Sequence, residues 1–405
     1  MVKPRFSNRL TKLCLWGLGL TLLHLQLQLY WSLAVNHSNA PSSTTNHHAT
    51  REQQQQQSLA DCAINIFGLP RAFHSIVLPS MKRHVIPQNP NCDYYVHAYN
   101  LTLEQVSRSG QGGNVNVEEI LELADAVHQF HPHARVHFAW TQEADFWERH
   151  RVLMHKIHTT KRVDGEYRYF PSKATSYKFP STVDNIIKMW HSIESVFHLM
   201  QKHALHKNQY TRVAMIRSDV MYMTPIHVHP TNKDPSMKNS STTVIPGFGR
   251  FPVSDRLIVG PIQAVEPWAI HRFDHLEKHV QFMEQQPKLS GFVMHSERFV
   301  KFTLLPLVSQ KGRYPVVEHD SMCFFRARAD ESVWVTDCFI GNPQATIAPP
   351  LFNMTANERL TPERLIRIRS KIESILERRC YPGNWSKPNK RGIHLAMSCG
   401  SMPSS

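Results

Sequence analysis

Two charged side chains follow short apolar runs of this 405-residue chain. If these runs are strands of a sheet, both side chains would lie where the sheet can bind a ligand. Arg71 follows the run 63–67 across the turn Gly68-Leu-Pro, and Asp219 follows the run 212–216. The planar fork of an arginine matches the oxygens of a diphosphate, and a glycine lets the backbone approach a ligand closely. A carboxylate can hold a divalent cation that neutralises the same anion. Both positions therefore indicate recognition of an anionic ligand.

Each of these side chains also has a structural explanation. Arg71 can be a solvated side chain in an ordinary strand-to-helix turn. Asp219 can cap a helix or pair with Arg217, because acids at strand ends are common. Taken singly, each position favours the structural explanation, so a ligand site depends on the fold bringing them together.

Two further acids are candidate general bases. Asp255 lies between a proline-containing turn and the apolar run 257–260, and Glu297 opens the apolar helical run 299–304. A carboxylate held at either position could deprotonate a hydroxyl group. The alternative for Glu297 is a weak favourable interaction with the start of its own helix.

The segments that would position these residues alternate between strand and helix patterns. Strand-like apolar runs occupy residues 63–67, 92–98, 135–140 and 212–216. Helical spacing of apolar residues occurs around 73–81, 117–130 and 181–200, and Ser181 is the expected N-cap of the long third helix. The alternation predicts an α/β fold with a layered, mainly parallel central sheet. Ligands bind beyond the carboxyl ends of strands in such sheets, which is where Arg71 and Asp219 would lie.

The segment 143–180 interrupts this alternation and is rich in aromatic, basic and histidine residues. We expect it to be an insertion that is partly helical around 146–158.

The N-terminal region predicts a membrane anchor. Residues 13–35 carry no charged side chain, and as a helix they would reach about 34 Å, enough to cross a bilayer core. Basic residues precede this segment and no acid occurs before Glu52, so residues 1–12 are predicted to remain cytoplasmic. A signal peptide cleaved after Ala34 is the alternative. In both cases the rest of the chain enters the secretory pathway, and the anchored form would be a single-pass protein of the ER or Golgi membrane.

Three segments follow the predicted anchor. Residues 36–60 are polar and low in complexity, which is typical of a flexible stem. Residues 61–349 form the predicted luminal domain. The C-terminal extension, 350–405, contains one amphipathic helix that begins with Pro362.

Sequons and cysteines agree with a luminal location. Beyond the stem, glycosylation is predicted at Asn100, Asn239, Asn353 and Asn384. The six cysteines beyond the anchor predict disulfides in an oxidising compartment, with the pairing left open; they are Cys62, Cys92, Cys323, Cys338, Cys380 and Cys399.

Composition narrows the function classes. The chain carries a net charge of +14, with 41% hydrophobic and 10% aromatic residues, which is typical of a globular protein and excludes broad disorder. The basic residues are spread thinly and form no zinc-finger or RNA-binding motif, so nucleic acid is not expected as a partner. Four histidines between His128 and His137 straddle a helix-to-strand change, a poor arrangement for a zinc site.

The combination of tail, anchor, stem and luminal α/β domain resembles Golgi-type glycosyltransferases of the GT-A architecture. The helix containing Ile187-Lys-Met-Trp190, followed by a strand and Arg217-Ser218-Asp219, is similar to the way that family leads to the acid motif of its donor site. The pieces Val253-Ser-Asp-Arg256 and His295-Ser-Glu297 resemble an uncharacterised group of anchored plant, algal and fungal glycosyltransferase-like proteins. The resemblance spans residues 62–340.

The resemblance implies an enzyme that moves a sugar from a nucleotide-sugar donor to a glycan or glycoprotein acceptor. Arg71, Arg217, Ser218 and Asp219 would bind the donor, Asp219 through Mn²⁺ or Mg²⁺. Asp255 and Glu297 would be the catalytic residues near the acceptor.

The chain departs from the family at one position, since Arg217 stands where the usual Asp-x-Asp motif has its first acid. A metal-independent enzyme and a non-catalytic luminal carbohydrate-binding protein therefore remain alternatives. A sulfotransferase is a third class, although the turn Gly68-Leu-Pro-Arg71 lacks the Lys and Ser/Thr arrangement of a phosphate-binding loop.

Overall fold

The structure is a computed structural model. It describes residues 60–104, 112–206, 208–231, 239–248, 251–319, 322–329 and 333–334. The predicted tail, anchor and C-terminal helix lie outside the described residues, as do nearly all of the stem and the sequons at Asn353 and Asn384. In the part of the chain that is described, no helix has the length and apolar character needed to span a bilayer.

Twelve strands occur in the described ranges: β1 (Cys62–Phe67), β2 (Cys92–Tyr99), β3 (Leu103–Glu104), β4 (Gly113–Asn114), β5 (Val136–Thr141), β6 (Arg212–Arg217), β7 (Val220–Tyr222), β8 (Thr243–Pro246), β9 (Ile258–Pro261), β10 (Val316–His319), β11 (Phe324–Ala327) and β12 (Val333–Trp334). The α-helices of the same ranges are α1 (Leu78–His84), α2 (Glu122–Phe130), α3 (Glu143–Arg149), α4 (Arg151–Thr159), α5 (Ser181–His203), α6 (Ile262–Ile270), α7 (Leu276–Glu284), α8 (Ser296–Phe299) and α9 (Leu305–Ser309). The predicted strands correspond to β1, β2, β5 and β6, and the segment 143–180 contains α3 and α4, as expected.

Seven strands form the central sheet in the order β10-β8-β9-β6-β1-β2-β5. Neighbours pair in parallel except at β9, which is antiparallel to both β6 and β8. Six strands therefore run in one direction, and the prediction of a mixed α/β fold with a mainly parallel sheet is confirmed.

The central strands are apolar because both faces of the sheet are covered. Every residue of β1 is buried. Its alternate side chains enter different cores: Ile64 and Ile66 pack in one hydrophobic cluster, and Ala63 and Phe67 in the other. Successive residues of a strand point to opposite faces, so an unbroken apolar run marks a strand buried between two layers.

The order of strands creates a switch point between β1 and β6. From β1 the chain moves outward through β2 to β5, and then α5 carries it back to β6 on the other side of β1. Connections thus leave the neighbouring strands β1 and β6 toward opposite edges of the sheet. The carboxyl ends of two such strands border the crevice where open α/β sheets bind ligands.

The predicted cap of α5 is wrong in detail. Pro180 occupies the N-cap position and provides no side-chain cap, whereas Ser181 lies inside the first turn and donates through Oγ to the Lys178 carbonyl at 3.3 Å. Asp184 faces His158 instead, with 2.6 Å between Oδ1 and Nε2. Backbone carbonyls of the residues before the helix instead accept the hydrogen bonds that a serine cap would have accepted.

A disulfide joins Cys62 to Cys92. These two cysteines are the first residues of β1 and β2 and face each other in the register of the sheet. Cys323 is also disulfide-bonded. The prediction of disulfides among the cysteines beyond residue 35 is therefore confirmed, and the Cys62–Cys92 bond lies at the end of β1 opposite to Arg71.

A smaller antiparallel sheet adjoins the carboxyl edge, in the order β12-β11-β7. It begins directly after Asp219, whose carbonyl oxygen accepts a hydrogen bond from the Ala327 N–H at 2.8 Å. The backbone of Asp219 is therefore fixed by β6 on one side and by the small sheet on the other.

Candidate functional site

The carboxyl ends of β1 and β6 bring Arg71 and Asp219 together. Phe67 pairs with Arg217 in the sheet, and the Ser218 N–H donates to the Phe67 carbonyl at 2.9 Å. The Arg71 Nη1 atom then lies 2.5 Å from Asp219 Oδ2. The structure therefore brings these two predicted site residues together at one edge of the sheet.

Asp219 is held by two arginines at once. Arg217 donates from Nε to Oδ1 and from Nη2 to Oδ2, both at 2.7 Å, while Arg71 donates to Oδ2. The carboxylate is buried, with 1% of its surface exposed. Bidentate guanidinium pairs of this kind fix geometry as well as charge.

Arg71 also makes a bidentate ion pair with Glu104. Its Nε and Nη2 atoms donate to the two carboxylate oxygens of Glu104 at 2.7 and 2.5 Å. Arg328, which is 7% exposed, adds a further guanidinium whose charge acts on Asp219. We call Arg71, Arg217, Arg328, Asp219 and Glu104 the arginine cluster.

The charges of the arginine cluster stabilise one another. Burial alone would raise the pKa of Asp219, but the Arg217 and Arg71 guanidiniums outweigh it and hold that pKa well below its usual range. Burial opposes the charge on Arg71 too, yet the Asp219 and Glu104 carboxylates keep its pKa above the ordinary value. Burial lowers the pKa of Arg328 to about 9, so this arginine is still charged at neutral pH.

Three guanidiniums and two carboxylates meet in the arginine cluster, and two of the guanidiniums share Asp219. The side chains of Arg71 and Arg217 retain 17% and 19% of their exposure, so they connect the buried carboxylate to the surface. The arrangement can therefore attract and hold an anion at the switch point of the sheet.

The same residues do not fit a divalent cation. Both oxygens of Asp219 accept only from guanidiniums among the described residues, and both oxygens of Glu104 accept from Arg71. A Mn²⁺ or Mg²⁺ ion needs several oxygen ligands, and here it would have to displace an arginine and stay beside the others. The predicted metal role of Asp219 is not supported by this donor set.

A second group with metal-ligand chemistry lies elsewhere, formed by Asp61, Cys62 and His229. Its ligand atoms lie within 4.8 Å of one another. The sulfur of Cys62 is already bonded to Cys92 and offers no thiolate. The group also sits at the amino end of β1, away from the arginine cluster.

Ser218 is fully buried behind the turn at Gly68. Its hydroxyl oxygen has no hydrogen-bond partner among the described residues, and a Cβ on Gly68 would lie 3.4 Å from it. Gly68 has φ +108, a backbone conformation that favours glycine. The glycine in the turn is thus explained by local geometry.

Asp255 lies at the same edge of the sheet but in a different environment. It precedes β9, whose first residue Ile258 pairs with Met215 near the end of β6. Asp255 is 7% exposed, and its charge acts on the buried Arg272. Burial lowers the pKa of Arg272 to about 9, partly offset by Asp255, and its guanidinium stacks on Trp268 at 4.2 Å.

Glu297 lies in α8 beside His295, with 3.0 Å between Oε2 and Nδ1, close enough for an ion pair but without hydrogen-bond alignment. His295 in turn stacks on the ring of Tyr177. The side-chain partners of Asp219 are Arg71 and Arg217. The structure therefore unites three of the predicted donor residues and leaves Asp255 and Glu297 outside their hydrogen bonds, so the catalytic roles of these two acids stay predictions.

Glu104 and Arg328 are cluster members that the sequence analysis missed. Each lies in a short strand or loop with no motif around it. The local sequence gives no signal for either residue, because their roles depend on long-range contacts with Arg71 and Asp219.

A buried histidine network under the turn was also missed. Ser192 of α5 accepts from the Gly68 N–H at 2.9 Å and bonds to His97 Nδ1 at 2.9 Å. Thr141 then bridges His97 and His191 at 2.8 and 3.1 Å. Burial lowers the pKa of His97 to about 4 and that of His191 to about 3, so both are neutral at neutral pH. The network supports the turn that carries Arg71.

Comparisons with known proteins give distant structural likenesses. No family model and no curated protein matches the chain. The apo crystal structure of mouse xyloside xylosyltransferase 1 matches with a TM-score of 0.28 and 11% identity, over 64% of this chain and 85% of that one. The mannosyltransferase Ktr4p from S. cerevisiae matches with a TM-score of 0.24 and 14% identity, over 63% of this chain and 62% of that one. Both matched proteins are glycosyltransferases by name.

Proposed function

We propose that this chain is a glycosyltransferase of GT-A-like architecture that uses a nucleotide-sugar donor and a glycan or glycoprotein acceptor. The observation that carries the proposal is the position of the arginine cluster. Arg71 follows β1 and Arg217 is the last residue of β6, and these are the neighbouring strands at the switch point of the sheet. An anion with the charge of a nucleoside diphosphate suits both that place and that chemistry.

Within this proposal the residues have separate roles. Arg71 and Arg217 bind the donor phosphates, and Asp219 positions both guanidiniums. Asp255 and Glu297 are proposed as acceptor-side bases, because Asp255 lies at the same edge of the sheet and Glu297 is only partly buried. Each base would take the proton from the acceptor hydroxyl as the sugar is transferred.

The proposed location is the ER or Golgi membrane, with a single N-terminal span and the catalytic domain in the lumen. The uncharged segment 13–35 and the basic residues before it support this orientation. The Cys62–Cys92 disulfide fits an oxidising compartment. Asn100 and Asn239 are exposed, so both sequons are open to glycosylation.

A ligand screen tests the proposal. The full-length chain in detergent is heated with a panel of nucleotide sugars, and release of nucleoside diphosphate is then measured with mixed glycan acceptors. We expect at least one nucleotide sugar to raise the Tm, because a ligand that binds only the folded state stabilises it. The control variant is Arg151→Gln, which removes an exposed arginine that lies 3.6 Å from Glu148.

The outcomes separate the function classes. Stabilisation by a nucleotide sugar with release of its diphosphate supports the transferase. Stabilisation by glycans alone would instead identify a carbohydrate-binding protein, an alternative favoured by the arginine at the place of the first acid of Asp-x-Asp. Stabilisation by the nucleotide sulfate donor would identify a sulfotransferase.

A further inference from the structure

We propose that the arginine cluster binds the donor diphosphate directly and without a divalent cation, the guanidiniums taking the place of the metal. This inference rests on the proposed function, since it concerns how the same site would hold its donor. Its basis is that both oxygens of Asp219, the acid expected to hold the metal, already accept hydrogen bonds from arginine.

The acid of the site is committed to arginine. Asp219 receives three hydrogen bonds from Arg71 and Arg217 and is 1% exposed. In a metal site the same carboxylate would face the cation with a free oxygen. Here it acts as a buried anchor that holds two guanidiniums in fixed orientations.

The guanidiniums keep donors for a ligand. Arginine has five N–H donors, and the bonds of Arg71 to Glu104 and Asp219 use one donor on each of its three nitrogens. Two donors of Arg71 therefore remain beyond these bonds in the described part of the chain. The partly exposed side chain can present them to phosphate oxygens.

Charge favours the anion and opposes the cation. The arginine cluster carries three guanidiniums and two carboxylates, and Arg328 contributes its charge from a buried position. The guanidiniums attract the oxygens of a diphosphate, whereas a divalent cation would add two charges beside three arginines. The positive charge that a metal normally brings to a diphosphate is thus already part of the fold.

The test compares binding with and without metal. Full-length protein in detergent is treated with EDTA, and the Kd values of UDP, GDP and inorganic pyrophosphate are measured by calorimetry before and after MnCl₂ is added in excess. We expect at least one of these probes to bind in EDTA, with a Kd that Mn²⁺ changes by less than about threefold.

Two results of this test have different meanings. Binding that appears only with Mn²⁺ would overturn the metal-free inference and leave the proposed transferase standing. Absence of binding by every probe, with and without Mn²⁺, would overturn the inference and the proposed donor site together.

Substitutions in the arginine cluster give a second, independent answer. Asp219→Asn weakens the anchor of both guanidiniums, so we expect pyrophosphate binding to weaken equally with and without Mn²⁺, whereas a metal-binding Asp219 predicts a loss confined to the Mn²⁺ condition. Arg217→Gln should weaken binding by about tenfold or more, and Arg151→Gln is the charge-matched control and should leave it unchanged.

A second acid protects the test against misfolding. If Asp219→Asn does not fold, as judged by circular dichroism, Glu104→Gln removes the other carboxylate of the arginine cluster at a more exposed position. Its remaining pyrophosphate binding in EDTA should not depend on Mn²⁺. A Kd that Mn²⁺ restores in whichever of these two variants folds would contradict the inference.

Discussion

Two buried aspartates at opposite ends of the same sheet pair with arginine in different proportions. Asp93 lies at the amino end of β2 and accepts hydrogen bonds from Nε and Nη2 of Arg135 at 3.0 and 2.6 Å. It also accepts from the backbone N–H of Arg135 and from the Tyr210 hydroxyl. Asp219 lies at the carboxyl end of β6 and receives two arginines.

The difference between these pairs separates structure from binding. At Asp93 one carboxylate pairs with one guanidinium, and neutral groups complete the hydrogen bonding. The two charges of this pair therefore balance. At Asp219 one carboxylate meets two guanidiniums, and this group lies where α/β sheets bind ligands. The comparison therefore distinguishes a one-to-one ion pair at the amino edge of the sheet from a carboxylate shared by two arginines at the edge that binds ligands.

The largest expected effects come from breaking each pair in turn. Arg135→Gln leaves the buried Asp93 without its cation, so we expect the free energy of unfolding to fall by about 3 kcal/mol, with an unchanged Kd for the nucleoside diphosphate. Arg217→Gln leaves Asp219 paired with Arg71, so stability should change little while transfer falls by about a hundredfold. Urea denaturation and initial rates measure the two quantities. If either variant lowered the free energy of unfolding and the rate of transfer to the same extent, the assignment of Asp93 to structure and Asp219 to binding would be wrong.

A pH titration gives the next largest effect. The pKa of His97 is lowered from 6.5 to about 4 and that of His191 to about 3, so the unfolded chain takes up protons before the folded chain does. Stability contributed by the two neutral histidines is complete above the unfolded pKa and is lost as the pH falls toward the folded values. Between pH 7 and pH 5.5 we expect a loss of about 1 kcal/mol for each histidine.

Urea denaturation across this pH range measures the effect. The double variant His97→Gln/His191→Gln should show a shallower dependence, because it lacks both titrating groups. An equally steep dependence in that variant would place the titration elsewhere in the molecule.

A glycine substitution gives the smallest expected effect and tests the turn that carries Arg71. Gly68→Ala must place a Cβ at φ +108 and 3.4 Å from the Ser218 hydroxyl, so we expect a loss of about 1 kcal/mol in stability. The matched control is Gly165→Ala, which also has a positive φ but no atom within 4 Å of the new Cβ.

The diagnostic result is in binding. We expect Gly68→Ala to weaken diphosphate binding, because the turn sets the position of Arg71, and Gly165→Ala to leave it unchanged. Equal Kd values for the two variants would show that the turn does not position the arginine.

The framework of the sheet was predictable because its strands are apolar on both faces. Mainly apolar runs at β1, β2 and β6 identified the buried strands, and the rule for parallel sheets then placed Arg71 and Asp219 at one edge. The position of α5 was predicted as well, although its cap was not, since Pro180 and the loop before it settle the first turn.

The finer details of the site were not predictable from local sequence. Glu104 lies 33 positions from Arg71, and Asp219 lies 148 positions from it. No pattern within a single strand or helix reports which arginine will meet which acid. The histidine network has the same character, since Thr141 is 44 positions from His97 and 50 from His191.

The pairing of β1 with β6 has a consequence for how this site would change. Neighbouring strands lie about 4.8 Å apart, so the loops that carry Arg71 and Asp219 start from a fixed separation set by the sheet's hydrogen bonds. The strands β5 and β8 are followed by described loop residues that include no member of the arginine cluster. Changes in those loops can therefore alter the choice of ligand while the spacing of the loops that carry Arg71 and Asp219 stays the same.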